Sequence, residues 1–502
     1  MTQCEPPLII PINELSDTLA YHLKQGARLG LLTARYLPET GEYNLITLVL
    51  FPDLHRMEVW ETPIAKEKGS FPSLTQKIPQ AHWYERAIYD LFGLLPEGHP
   101  RFKSLILHEA WPEGYYPLME NSTEPSAPIS KSYKFLTVRG QGVYEIPVGP
   151  IHAGIIEPGH FRFSCMGEEI QNLEIRLGYQ HRGVEKMLTQ IPWRQARFLA
   201  EAVSSDTTAG NAMAHALAIE QILDITPPVY ALWLRGLALE IERAACHIGD
   251  LGGICSDIGF AAGAAIYSRL RGAALGMAER MTGSRFLTAY IRPGGVKHGL
   301  SREMREGINQ MAGKLIQDVK EVEPLLLDNS GSLERMEGRG VLRPHLAKEF
   351  GLVGPAGRAS GVDYDVRVSY PVEPYLSLNI TQPLDQEGDI LARVQVRAQE
   401  ALISLQLIRE ILSGLEEDTP FSVPMPDTLP PGKYGVGIVE AWRGELIHLI
   451  HTNGEGGISR YSIKDPSFNN WTGLAIAARG QLIADFPLCN KSFSLSYSGN
   501  DL

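Results

Sequence analysis

Six stretches between residues 168 and 415 repeat apolar side chains at helical spacing: roughly 168–190, 193–223, 229–250, 262–283, 301–326 and 389–415. Helices this long and apolar must bury their faces against one another, so this part of the chain is constrained to a mostly helical, packed domain. Strand-like segments flank it. Val138 to Val148 and His160 to Cys165 come before, Gly435 to Val439 and Leu446 to His451 after, with a further helix near Trp471 to Ile483. The second helical stretch carries a contradiction. It contains Ser204-Ser205-Asp206-Thr207-Thr208, five residues whose side chains compete with the helix backbone for hydrogen bonds.

The first 118 residues read differently. A helix is expected over Ile12 to Gly26, a β-hairpin from Leu29 to Pro52 around Pro38-Glu39-Thr40-Gly41, and a helix over Trp83 to Phe92. Residues 119–134 open with a run rich in Ser, Pro and Glu, a linker composition. The expected fold class is α+β: a small α+β domain over 1–118, a linker over 119–134, and a mostly helical domain with β edges over 135–502. The net charge of −12 argues against nucleic acid as a partner, because neutralising phosphates needs a basic face. No apolar run approaches the roughly 20 residues that span a bilayer, and the N-terminus lacks the basic region of a secretory signal. Cys4, Cys165, Cys246, Cys255 and Cys489 are scattered with no C-x-x-C pair, which fits a reducing compartment.

Three groups of motifs remain. In 82-HWYERAIYDLFGLLPEGHPRFKSLIL-107, Glu85, Arg86, Tyr89 and Asp90 fall at spacings that bring them together on one helix, as in a packing and docking element. In 178-GYQHRGVEKM-187, His181, Arg182, Glu185 and Lys186 form a dense polar patch, with Glu185 four residues after His181 on the same expected helix face. Further along stand Glu242-Arg243, Tyr290 to Val296 (YIRPGGV), Asp363 to Arg367 (DYDVR), Gly388 to Glu400 and Gly437 to Glu445 (GIVEAWRGE).

The first group resembles the C-type peripheral subunit of respiratory complex I. The second and third, with Gly149-Pro150-Ile151-His152 and Gly167-Glu168, occur in the order found in the large-subunit family shared by the complex I D-type subunit and the membrane-bound group 4 [NiFe] hydrogenases. A single chain joining both resembles the large subunits of formate hydrogenlyase and hydrogenase-4. That resemblance implies a peripheral position on the cytoplasmic face of the inner membrane. It also implies an iron–sulfur small subunit and membrane subunits as partners, with no nucleic acid. The iron–sulfur cluster would lie in the partner small subunit, no cofactor is expected on this chain itself, and quinone is the ligand the complex I branch suggests.

The family's nickel–iron centre is held by four cysteines in two C-x-x-C pairs, and soft thiolates suit that centre where hydroxyls do not. At the matching positions this chain has Ser204 and Thr207, then Ser496 and Gly499, so the ligand set is degenerate and no metal is expected. Ser494 and Leu495 stand where the family has Asp and Pro, and the family's cysteine–histidine tail is not matched by Asn500-Asp501-Leu502. For quinone, the family's His and Tyr positions read Pro158 and Ser205, with His160 two residues on. The expected cavity therefore holds Glu185 and His181 as a proton relay, Ser204, Ser205, Asp206, Thr207 and Ser496 as polar lining, and His160 and Arg292 as further candidates. Two readings follow. The chain takes part in electron transfer coupled to ion translocation, or it is a non-catalytic subunit that couples a membrane ion-translocating arm.

Overall fold

The computed structural model describes residues 6–65, 68–109, 111–112, 114–119, 133–153, 156–416 and 420–502. Cys4 and nearly all of the expected linker lie outside them. In the N-terminal part, helix α1 (Ile12–Lys24) precedes the antiparallel strands β1 (Arg28–Leu37), β2 (Glu42–Phe51) and β3 (Arg56–Ile64), and Leu8–Ile9 adds in parallel to β3. The hairpin between β1 and β2 turns at Pro38 to Gly41, as expected. Strand β2 is apolar on both faces. Leu45, Val49 and Phe51 enter a small core with Leu15, Leu19, Trp60 and Phe92, while Ile46, Leu48 and Leu50 enter the main core of the molecule. A period of two sorts the residues between the cores.

Helix α2 (His82–Phe92) carries the ERAIYDLFG motif, and its polar residues do not pair with one another as expected. Glu85 turns inward to the hydroxyls of Ser73 and Thr75 and the Leu74 N–H. Asp90 accepts the N–H groups of Leu105, Ile106 and Leu107, and Arg86 donates to the carbonyls of Lys103 and Ser104. The motif thus pins the loops around its own helix. Burial pushes the Asp90 carboxyl up to about 6, against the pull of those N–H donors.

The larger part opens with a three-stranded antiparallel sheet, β4 (Val143–Val148), β5 (His160–Met166) and β6 (Glu169–Arg176). The stretch 168–190, expected as one helix, is instead a strand, a glycine turn and a short helix. Only α3 (Val184–Gln190) is helical, behind Gly178 and Gly183 at positive φ. Pairing of β6 with β5 overrides the helical preference of its Glu, Gln and Leu residues. The helix expected over 193–223 is two helices, α4 (Trp193–Glu201) and α5 (Thr208–Leu223), joined by the turn 202–207.

Helices α6 (Val229–Asp257), α7 (Ala261–Thr282), α8 (Arg302–Leu327) and α9 (Ile390–Gly414) follow, with a two-residue hairpin, β7 (Ile291–Arg292) and β8 (Gly295–Val296), between α7 and α8. A second three-stranded antiparallel sheet, β9 (Tyr434–Ala441), β10 (Gly444–Thr452) and β11 (Ile458–Lys464), lies against α5. The approach is close because both surfaces are small. A Cβ on Gly437 would stand 1.8 Å from the Ala214 carbonyl oxygen, and one on Gly435 would stand 2.2 Å from that of Ala218. Helices α10 (Pro466–Ala477), α11 (Phe486–Phe493) and α12 (Tyr497–Asp501) complete the fold. No helix among the described residues is long and apolar enough to cross a membrane.

Candidate functional site

The turn 202–207 is where the polar run does its work. Helix α4 ends at Glu201, and Thr207, at φ −132°, precedes the first residue of α5. The Thr207 N–H donates to the Ser204 carbonyl at 3.0 Å. Ser, Asp and Thr favour such turns because their side chains satisfy nearby polar groups. Here the hydroxyls of Ser204 and Thr207 both donate to Asp206 Oδ1, at 2.8 and 3.1 Å.

The facing wall is the segment between α11 and α12. Ser494 takes the left-handed conformation at φ 54°, and Ser496 caps α12 by accepting the Gly499 N–H at 2.9 Å. Ser204 Oγ and Ser496 Oγ lie 3.3 Å apart. The two segments expected to converge do converge, and they touch.

A third element closes the site. Strands β9 and β10 are joined at Trp442-Arg443, and the Arg443 guanidinium enters between the two walls. Its Nη1 and Nη2 donate to Asp206 Oδ1 and Oδ2, each at 2.7 Å, and its Nε donates to the Ser494 carbonyl at 2.6 Å. Nη1 also reaches Thr207 Oγ1 at 3.3 Å, and the guanidinium lies 3.9 Å from the centre of the Trp442 ring. The Trp442 indole N–H donates to the Asp206 carbonyl at 3.0 Å and to Thr207 Oγ1 at 3.2 Å. Burial opposes ionisation of Asp206, yet Arg443 and the two hydroxyls prevail and hold its carboxyl at about 2.

Three carboxylates surround this centre. Asp250 accepts the Ser494 hydroxyl at 2.7 Å and lies 3.0 Å from Arg397. Glu242 accepts the Ala209 and Gly210 N–H groups at the start of α5, at 2.7 and 3.0 Å, while burial pushes its carboxyl up to about 8. Asp465 caps α10 with one oxygen. Its other oxygen, buried without a hydrogen bond, would stand 2.4 Å from a Cβ on Gly499.

These residues do not fit a nickel–iron centre. Three of the four matched positions offer hydroxyls and the fourth, Gly499, offers no side chain and has no room for one. A cation already sits among them, where a metal ion would meet like charge. The nearby thiols do not replace the missing ligands. Cys246 donates to the Asp206 carbonyl at 3.4 Å and is pushed well above the usual thiol range, chiefly by burial. Cys489 is buried against Gly340.

Of the remaining expected site residues, His181, Glu185, His160 and Arg292 lie apart from this centre. His181 precedes α3 instead of sharing its face with Glu185, and its Nδ1 lies 2.8 Å from the Asp501 carbonyl oxygen. Glu185 accepts the Ser462 hydroxyl at 3.1 Å and the Ile463 N–H at 2.8 Å, and it pairs with Arg460 at 2.9 Å. Both residues line a cavity of about 280 Å³ with Trp111, Tyr115, Lys186 and Met187. Glu185 also lines a smaller cavity, about 50 Å³, that reaches Asp465 and Gly499. Glu185 thus stands between the larger cavity and the closed centre.

Ser205, in the turn itself, is exposed, accepts the Thr208 hydroxyl with its carbonyl, and lines a pocket of about 30 Å³ with Asp206, Glu242 and Cys246. His160 has its Nδ1 3.0 Å from the Gly149 carbonyl oxygen and packs against Phe135. Arg292 belongs to the β7–β8 hairpin and lines a different cleft. Arg443, Asp250, Glu242 and Asp465 were not among the expected site residues, although Glu242 and Arg443 lie in motifs visible in the sequence. For Arg443 the signal was present: Glu440, Arg443 and Glu445 interrupt an otherwise apolar stretch, and charges there need buried partners.

Comparison with known proteins places the whole chain. The model of the respiratory-chain NADH dehydrogenase 30 Kd subunit matches residues 13–126, and that of the 49 Kd subunit matches residues 257–435 and 418–501. The chain is 30% identical to formate hydrogenlyase subunit 5 of Escherichia coli (strain K12) over 100% of its own length and 89% of that protein. It is 31% identical to hydrogenase-4 component G of the same organism, over 87% of its length and 76% of that protein. Among solved structures, a chain of the membrane-bound sulfane sulfur reductase, an archaeal respiratory membrane complex, matches with a TM-score of 0.68 and 27% identity. The match covers 72% of this chain and 99% of that one.

Proposed function

Since the chain belongs to the family of fused 30 kDa and 49 kDa subunits that includes formate hydrogenlyase subunit 5 and the NADH-quinone oxidoreductase chains joining the C-type and D-type modules, we propose that it is the large subunit of a membrane-associated oxidoreductase complex whose former nickel–iron centre has become a structural ion pair. The observation that carries this is the Arg443 guanidinium held by Asp206, Thr207 and Ser494 where the matched ligand positions converge. In this reading the protein supports electron transfer coupled to ion translocation without metal chemistry between Ser204 and Ser496. Its partners are an iron–sulfur small subunit and membrane subunits, and it sits peripherally on the cytoplasmic face. The division into 1–118, 119–134 and 135–502 belongs to the same proposal.

A second reading is favoured by the cavity beside α3. Its walls combine the parallel rings of Trp111 and Tyr115, with centroids 5.4 Å apart, with Arg182, Lys186 and His181. Apolar, aromatic walls with a polar edge suit a planar acceptor such as a quinone. A relative named for reducing sulfane sulfur supports an acceptor other than protons. Metal and quinone analysis of the complex purified from its own membranes tests both readings. Iron at iron–sulfur stoichiometry without nickel is expected. One nickel per large subunit overturns the first reading. The second predicts retained quinone, and a quinone-free complex that reduces no quinone overturns it.

A further inference from the structure

A second site lies away from the closed centre. Helix α4, the β7–β8 hairpin and residues 422–425 enclose a cleft of about 290 Å³ lined by Arg194, Arg197 and Arg292, with Trp193, Val423 and Met425 as apolar wall. Three guanidinium groups in one cleft are conspicuous on a chain of net charge −12.

Their local neutralisation is poor. Among the described residues, no carboxylate lies within salt-bridge distance of Arg197 or Arg292. Arg292 spends its hydrogen bonds on the carbonyls of Val296 and Lys297, at 3.1 and 3.3 Å, which fixes its head group without cancelling its charge. Arg197 lies 4.4 Å above the ring of Phe198, itself half exposed. Among the described residues, Arg194 has Asp427 as its one carboxylate partner, with a side chain 97% exposed so that solvent screens the pair, and donates besides to the Met425 and Pro426 carbonyls. The nearest acid, Glu201, gives both oxygens to the Ala289 N–H and is pushed up to about 7 by burial. Burial draws the Arg197 pKa down, Glu201 offsets part of that, and the charge of Arg292 adds to the lowering, so the pair of guanidinium groups is only partly compensated.

We propose that this cleft is the docking point for an acidic segment of a partner subunit, with carboxylates seated across Arg197 and Arg292. Fixed guanidinium forks match carboxylate geometry. Arginine set beside exposed aromatic surface is the composition of interface hot spots, and uncompensated charge steers a complementary partner. The cleft would hold such a segment whether or not the Ser204–Ser496 centre is active.

The test uses the purified full-length chain and a fluorescent, end-capped hexaglutamate peptide as probe, at low and at physiological salt. Binding that weakens with salt is expected, reduced at least tenfold in Arg197→Glu. Lys314→Glu, an equal charge change on an exposed side chain elsewhere, is expected to leave hexaglutamate binding within twofold. Among the described residues Arg197 donates no hydrogen bond, and an unchanged melting temperature of its variant confirms that the fold is intact. Equal losses in both variants would reduce the effect to overall charge and overturn the proposal. So would vesicles of anionic phosphatidylglycerol, or inorganic phosphate, binding in an Arg197-dependent way when the peptide does not.

Discussion

At the scale of single residues, the closed centre turns on Asp206 and Arg443. Asp206→Asn leaves Arg443 buried without its counterion. With the Asp206 side chain about a third exposed (37%), the cost is expected at roughly 1–3 kcal/mol, read from chemical denaturation. The pH dependence has a definite sign. The Asp206 carboxyl titrates near 2 when folded and near 4 when unfolded, so its contribution is complete above about pH 4 and fades as pH falls toward 2. The acid limb of a wild-type stability profile is therefore expected to be steeper than that of Asp206→Asn over that window. Gly499→Cys, the change that would begin rebuilding the ligand set, drives a Cβ against Asp465 and is expected to cost roughly 1–3 kcal/mol in thermal or chemical unfolding. The positions of Ser204, Thr207, Ser496 and Gly499 were legible because the motifs around them keep their order. The position of Arg443 was not, because nothing local says that a hairpin turn 236 residues beyond Thr207 will point its side chain at it.

At the scale of elements, the clearest physical statement is the contact between α5 and β9. Gly437→Ala would place a methyl group inside the Ala214 carbonyl, so it is expected to lower stability by about 3 kcal/mol or more, while Gly454→Ala, with open space around it, changes the melting temperature little. That this helix and this strand meet was not legible in the sequence. Long periodic helices such as α7 and α8 were readable to within a residue of their ends, since 3.6-residue spacing sustained over many turns has few alternatives, while α6 runs two turns past its expected end. The stretch 168–190 failed because a strand, a glycine turn and a two-turn helix follow one another within 23 residues. Each is too short to impose its own period.

At the scale of the whole molecule, the N-terminal sheet is held to the rest by β2 and by a few buried polar ties. Arg460 is the busiest. It donates to the Ala34 carbonyl at 3.0 Å and the Thr33 hydroxyl at 2.7 Å while pairing with Glu185. Arg460→Ala is expected to unpair a buried carboxylate and loosen the N-terminal part together, at a cost of about 3–5 kcal/mol. Limited trypsin digestion should then cut faster between residues 103 and 134 than in the wild type. Tyr434 and His451 add ties to Glu61 and Arg35, and none of these long-range partners was visible from local sequence. The contact between Ser204 and Ser496, 292 residues apart in sequence, has a consequence for how the protein is made. On the ribosome, helices α5 and α6 emerge long before α11, which packs on α6, and Ser496, which meets Ser204. The apolar bundle therefore waits through the synthesis of nearly half the chain in an unfinished state. Loop closure this long is slow, and exposed intermediates of this kind invite aggregation. Chaperone depletion should lower the yield of this protein far more than that of one whose contacts close locally.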